Sequence, residues 1–293
     1  MRSPSPILIA LCGVFCGCMI DVFIKMLAAH VPVLELTVWR YVFGAAIAGA
    51  AFLFARRPVP LLESWRFHAF RGLFGLGASL GFFFALTQLG LAEVTVLGFT
   101  ASLMIAPIAA LLLGEHMRPL AALAAMVGFA GAAFAVSAAT GGAPEGGHRL
   151  LGVAAALFAA VCYTLSVVLL RFRAQREDAL TIVMLANLIP ALYGVPLLMV
   201  TNPVPPLLFL PALAGLGLFG VGIWWLLTLA YARAPAQRLA PVEYTGLLWS
   251  AALGYLFFSE VPSWRLWAGG VLIVAACLLV VFEHPPRKLP TKP

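Results

Sequence analysis

Asp21 and Arg40 are ionisable side chains set inside apolar stretches, CGCMIDVFIK and LELTVWRYVFGA. A charge in such surroundings is costly and is by default a candidate for function. The Arg40 guanidinium can hold both oxygens of a carboxylate, and the Asp21 carboxylate can take an amine. Together they suit a zwitterion. Asp21 lies about eight residues and Arg40 about seven from the same end of two consecutive helices, roughly 10–12 Å deep at the helical rise. They are therefore expected to pair across a cavity wall, as an outer gate or a ligand site. A buried ion pair that only holds two helices together is the competing reading, and proton coupling through Asp21 is a third. Lys25 and Glu35 match in depth one layer nearer the end. Lys25 also stands at i+4 from Asp21, where a local helix pair is available.

A second polar layer is expected near the opposite face. Asn187 falls close to the position of Arg40 when the second half of the chain is laid over the first, and Glu243 lies at a similar depth. Two such layers are what alternating access to a central site requires. For Glu243 the plainer alternative is an interfacial residue reaching for water beside Arg238. Between the layers come Phe83, Tyr163, Trp224, Trp225, Tyr244 and Trp249. Deep Trp residues need a partner for the indole N–H, and their faces can hold an aromatic or cationic ligand. Packed or lipid-facing aromatics are the alternative. Trp224 and Trp225 cannot both face one cavity, since neighbours on a helix point about 100° apart. Pro107 and Pro241 fall within spans, where each removes a backbone donor and bends its helix.

The five Cys, among them Cys12 and Cys16 on one helix face, read as small apolar packing residues. No zinc-type spacing pairs them with His, and the His residues fall at span ends or in loops. No metal, cofactor or enzymatic motif is expected.

The elements that carry these residues are membrane helices. Hydrophobic residues make up 63% of the chain and charged ones 10%, against about 25% charged in a soluble domain. Ten spans of about 20 residues are read at 6–29, 33–55, 67–89, 94–113, 119–139, 150–171, 179–200, 207–231, 237–258 and 263–282. The first is too long for the apolar core of a signal peptide. The net charge of +7 is no nucleic-acid footprint, because the basic residues alternate between faces. One face takes Arg2, Arg56, Arg57, Arg66, Arg71, Arg118, Arg171, Arg173, Arg176, Arg233, Arg238, Arg287, Lys288 and Lys292; the other takes Lys25, Arg149 and Arg265. That bias places both termini in the cytoplasm. The composition points to a bacterial inner membrane.

The chain also aligns with itself. TVLGFTASLMIAPIAALLLGEHMR at 95–118 lies over APVEYTGLLWSAALGYLFFSEVPS at 240–263. In both copies an apolar helix ends in a small residue and an acid, Gly114-Glu115 and Ser259-Glu260. A repeat of about half the chain implies two halves of one fold. Five spans per half force the second half to start on the opposite side, an inverted repeat. The halves are read as 1–143 and 144–293. Glu115 and Glu260 each precede a helix start and are expected to serve the N-terminal dipole of the next helix.

The runs IAPIAALLLGEHM (105–117), AALGYLFFSEVPSW (251–264), APVEYTGLLWSAALGY (240–255) and LELTVWRYVFGA (34–45) resemble the EamA-type branch of the drug/metabolite transporter superfamily. The resemblance covers nearly the whole chain. It implies an all-α integral membrane fold of ten helices in two inverted five-helix repeats around a central cavity. It also implies transport of a small polar or amphipathic metabolite. Where many relatives carry a Trp-Gly or Asn-containing stretch, this chain has Cys16-Gly17-Cys18-Met19-Ile20-Asp21, so the substrate stays open. The expectation is a monomeric or weakly dimeric secondary transporter that exports amino acids or similar metabolites by alternating access. The runner-up is uptake of a heteroaromatic metabolite such as riboflavin or S-adenosylmethionine.

Overall fold

A computed structural model describes residues 5–101, 103, 104, 108, 123, 126–128, 130, 131, 134, 148–173, 177–201, 207–233, 242 and 245–282. Among them every regular element is helical. The helices are α1 (Pro6–Leu27), α2 (Val33–Phe54), α3 (Leu62–Gln88), α4 (Leu91–Gly98), α5 (Arg149–Arg173), α6 (Ala179–Thr201), α7 (Leu210–Arg233), α8 (Thr245–Phe258) and α9 (Trp264–Phe282). A short 3-10 turn, Leu207–Phe209, leads into α7. Six of these helices, α1–α3 and α5–α7, are long and apolar enough to cross a membrane, and α8 and α9 contribute shorter apolar stretches. In lipid only a helix satisfies its own backbone polar groups, which is why apolar sequence of this length takes no other form. The fold is an all-α membrane protein. Most of the predicted fifth span, together with Pro107, Glu115, Pro241 and Glu243, lies outside the described residues.

Two helices start three or more residues earlier than the sequence reading has them. Helix α3 begins at Leu62 rather than 67, and α4 begins at Leu91 rather than 94. The earlier start of α3 follows from LESWRFHAF, a run with no breaker after Pro60. At 27 residues, α3 extends about 40 Å and overshoots a hydrocarbon core of about 30 Å.

Each helix of the first half packs mainly on helices of the second. The pairs are α1 with α7 and α8, α2 with α6 and α7, α3 with α5 and α6, and α4 with α8 and α5. Exchanging counterparts (α1 for α5, α2 for α6, α3 for α7, α4 for α8) turns α1–α7 into α5–α3, α2–α7 into α6–α3, and α1–α8 into α5–α4. The pairs α2–α6 and α4–α8 map onto themselves. The interior is thus an interface between the halves. Helix α1 begins at what we call the terminal face and ends at the far face. Its counterpart α5 begins at the far face, where Arg149 meets Glu93 beside the start of α4.

The central crossing depends on missing side chains. A Cβ added at Gly217 of α7 would lie 2.5 Å from the Cβ of Phe43 and 2.8 Å from the backbone nitrogen of Gly44. Only a glycine lets α7 approach the α2 backbone so closely. Gly44 in turn faces the side-chain amide of Asn187 on α6.

Candidate functional site

Arg40 sits about two turns into α2 and is 5% exposed. Its guanidinium lies over Gly220 of α7, where an added Cβ would stand 3.1 Å from Nε. Neither Nε nor Nη1 has a hydrogen-bond partner. Its neighbours are ring faces: its Cζ is 4.4 Å from the Tyr41 ring centre and 5.9 Å from that of buried Phe83. Such contacts favour a cation but leave its N–H donors unused, and an unpaired buried donor is costly.

The expected ion pair with Asp21 does not form. Asp21 is half-buried on α1 and senses the Arg40 charge, yet no ion pair or hydrogen bond joins them. Nor does Lys25 meet Glu35. Lys25 pairs instead with Glu260, after α8, and donates to the Leu89 carbonyl at 3.0 Å. Equal depth on consecutive helices was an insufficient criterion, because α1 and α2 touch little and each turns its polar face to the second half.

Asn187 is 1% exposed. Its Nδ2 donates to the Val183 carbonyl one turn back at 2.9 Å, and its Oδ1 has no partner. Arg40 and Asn187, expected at nearby positions of the two halves, both carry unused polar atoms. They sit on the α2–α6 pair, with Gly44 one turn along α2 from Arg40. Tyr163 of α5 and Trp224 of α7 bring their rings to 6.3 Å at a 31° tilt. Trp249 of α8 is exposed and meets Phe15 of α1 edge-on at 5.2 Å.

Glu260 follows a helix end of defined geometry. Ser259 takes φ 54, its N–H donates to the Tyr255 carbonyl, and the Glu260 N–H donates to the Gly254 carbonyl at 3.1 Å. This left-handed C-terminal turn explains why a small residue precedes the acid. The Glu260 carboxylate then accepts from the Leu91 N–H at 2.8 Å, so it caps α4 of the other half rather than the helix that follows it.

Sequence reading missed a polar cluster at the terminal face. His68 of α3, read as a span-end residue, is fully buried. Its Nε2 lies 2.7 Å from Glu177, and its Nδ1 accepts from Arg71 Nε at 3.2 Å. That acceptance puts the ring proton on Nε2, facing the carboxylate. Ser64 Oγ donates to the other Glu177 oxygen at 2.5 Å. Ser64, His68 and Arg71 fall at i, i+4 and i+7, one helical face; that spacing was the available signal.

These features can be set beside known proteins. The model of the EamA-like transporter family matches residues 4–137 and again 150–282. The pseudopaline exporter of Pseudomonas aeruginosa (strain UCBPP-PA14) is 27% identical over 285 residues, covering 94% of this chain and 95% of that protein. The riboflavin transporter of Rhizobium johnstonii is 32% identical over 205 residues, 68% of this chain and 66% of its own length. An S-adenosylmethionine uptake transporter of Rickettsia felis is 24% identical over 265 residues, covering 90% and 88%. A solved crystal structure shares the fold with a TM-score of 0.63 at 24% identity, covering 92% of this chain and 96% of that one.

Proposed function

The chain belongs to the EamA-like transporter family, and from that premise we propose that it exports a small amphipathic zwitterion of the amino-acid class. It would do so across the bacterial inner membrane, by alternating access between two inverted halves, with both termini cytoplasmic. The family is one of transporters, not enzymes. The observation that carries the reading is the state of Arg40: buried, charged, with Nε and Nη1 unpartnered and no bond to Asp21. A planar guanidinium with unused N–H groups is suited to a carboxylate, which can accept two of them at once. Half-buried Asp21, close enough to sense that charge, suits the ligand's ammonium group. The name of the pseudopaline exporter favours the outward direction.

The second reading, uptake of a heteroaromatic metabolite, is favoured by the Tyr163–Trp224 ring pair. The riboflavin and S-adenosylmethionine relatives point the same way. Counterflow in proteoliposomes separates the two. Labelled amino acids, riboflavin and S-adenosylmethionine are offered to the purified protein preloaded with each unlabelled compound. Amino-acid exchange that falls at least ~100-fold in Arg40→Ala supports the zwitterion site, since losing a charge-assisted bidentate contact removes about 3 kcal/mol or more. Exchange of riboflavin or S-adenosylmethionine alone, unaffected by Arg40→Ala, transfers the assignment to the aromatic pair.

A further inference from the structure

Among the described residues, four carboxylate ion pairs join side chains, and each links the first 143 residues to the rest of the chain. Lys25–Glu260 and Glu93–Arg149 lie at the far face. His68–Glu177 and Arg57–Asp178 lie at the terminal face. None falls between these two ends, where Arg40 and Asn187 keep unused polar atoms.

The far-face groups form one cluster, since Glu93 senses Glu260 and Lys25 as well as its partner Arg149. Lys25 and Glu260 are each 10% exposed. At the terminal face Glu177 is 11% exposed and takes both His68 and Ser64. Contacts of this kind are either made or broken, because a buried charge separated from its partner must reach water or another partner. Each inner member of these clusters has somewhere to go. Lys25 keeps the Leu89 carbonyl when Glu260 leaves. Glu260 already borders a shallow surface cleft between Gly90 and Pro262. His68 keeps Arg71 when Glu177 leaves.

We infer that Lys25–Glu260 and His68–Glu177 are the two gates of the transport cycle, ionic clasps of which one opens while the other stays shut. The residues act by positioning the halves and touch no transported molecule. The inference rests on the chain being an alternating-access transporter but on no particular substrate.

The test is hydrogen–deuterium exchange of the purified full-length protein in lipid nanodiscs. Lys25→Met removes the charge that Glu260 holds. Backbone exchange at 89–98 and 255–266 is expected to rise by about tenfold, while exchange at 62–75 and 177–185 falls as the population moves to the far-open state. Glu177→Gln is expected to give the mirror image. Changes of opposite sign at the two faces are the signature, because a merely structural contact loosens its surroundings without tightening the other end. Changes of the same sign at both faces, changes at one face alone, or none in either variant overturn the inference. Should Lys25→Met fail to fold, Glu260→Gln takes its place, since its amide oxygen still accepts from the Leu91 N–H while the charge facing Lys25 is gone. It is expected to give the same opposite changes at the two faces, and a folded Glu260→Gln that exchanges freely at the far face alone also overturns the inference. Failure of amino-acid counterflow would remove the proposed substrate and leave this measurement unaffected.

Discussion

The two ends of the molecule are closed by different chemistry. At the far face one carboxylate, Glu260, is held by a single ammonium and a backbone N–H, and its partner Lys25 is held by a backbone carbonyl. At the terminal face one carboxylate, Glu177, meets Ser64 and His68, and His68 in turn accepts from Arg71. The first clasp has few members and is fastened to helix ends. The second is spread along one face of α3, so losing Glu177 still leaves His68 paired with Arg71. The Arg57–Asp178 pair beside it is 48% and 37% exposed, and pairs so exposed contribute little. The difference teaches that the Lys25–Glu260 clasp depends on one ion pair, whereas the His68–Glu177 clasp has a second contact behind it in Arg71.

The largest expected effect is at Glu260. Glu260→Ala leaves Lys25 without its counter-ion and the Leu91 N–H without its cap. Breaking a buried pair from one side costs about 3–5 kcal/mol, to be read from denaturant unfolding in micelles. A loss no larger than that of Glu177→Ala would erase the contrast. Glu177→Ala is expected to cost about 2 kcal/mol, the scale of hydrogen bonds to a charged group, because His68 retains Arg71. The same unfolding curves give it, and a cost equal to that of Glu260→Ala would show the terminal network to be as brittle as the far clasp. The smallest effect is a gain. Ser259→Gly relieves a left-handed residue and should stabilise the protein by about 0.4–1 kcal/mol. If the midpoint falls instead, the Ser259 turn is not the strained element that aims Glu260.

How far the sequence carried depended on whether a feature was local. The burial of Arg40 was legible, because a lone Arg in an apolar run has few alternatives. The acid after Ser259 is legible as structural from the repeat with Gly114-Glu115, but its target, the Leu91 N–H, is not. The N-terminal dipole points to the next helix in sequence, but Ser263 caps that helix by accepting from the Leu266 N–H, and Glu260 accepts from the Leu91 N–H of α4 instead. Depth alone matches Lys25 to Glu35 and Asp21 to Arg40. Depth fixes one coordinate, and the rotation of each helix about its axis remains free until a neighbour packs on it. The His68 network is hidden in the sequence because a span beginning at 67 puts His68 at its edge and leaves Ser64, the first member of the shared helical face, outside it.

By itself, then, the sequence determined the membrane class, the helical form of its apolar segments and the family. Each of these follows from composition, segment length and a repeated motif, which act along the chain. Only the tertiary structure decided that Arg40 keeps unused donors, that Asn187 lies against Gly44, and that Lys25 and His68 reach across to Glu260 and Glu177. Those outcomes depend on which faces of the two halves meet. That is settled by the packing of small residues such as Gly217 and Gly44, through contacts between positions far apart in sequence.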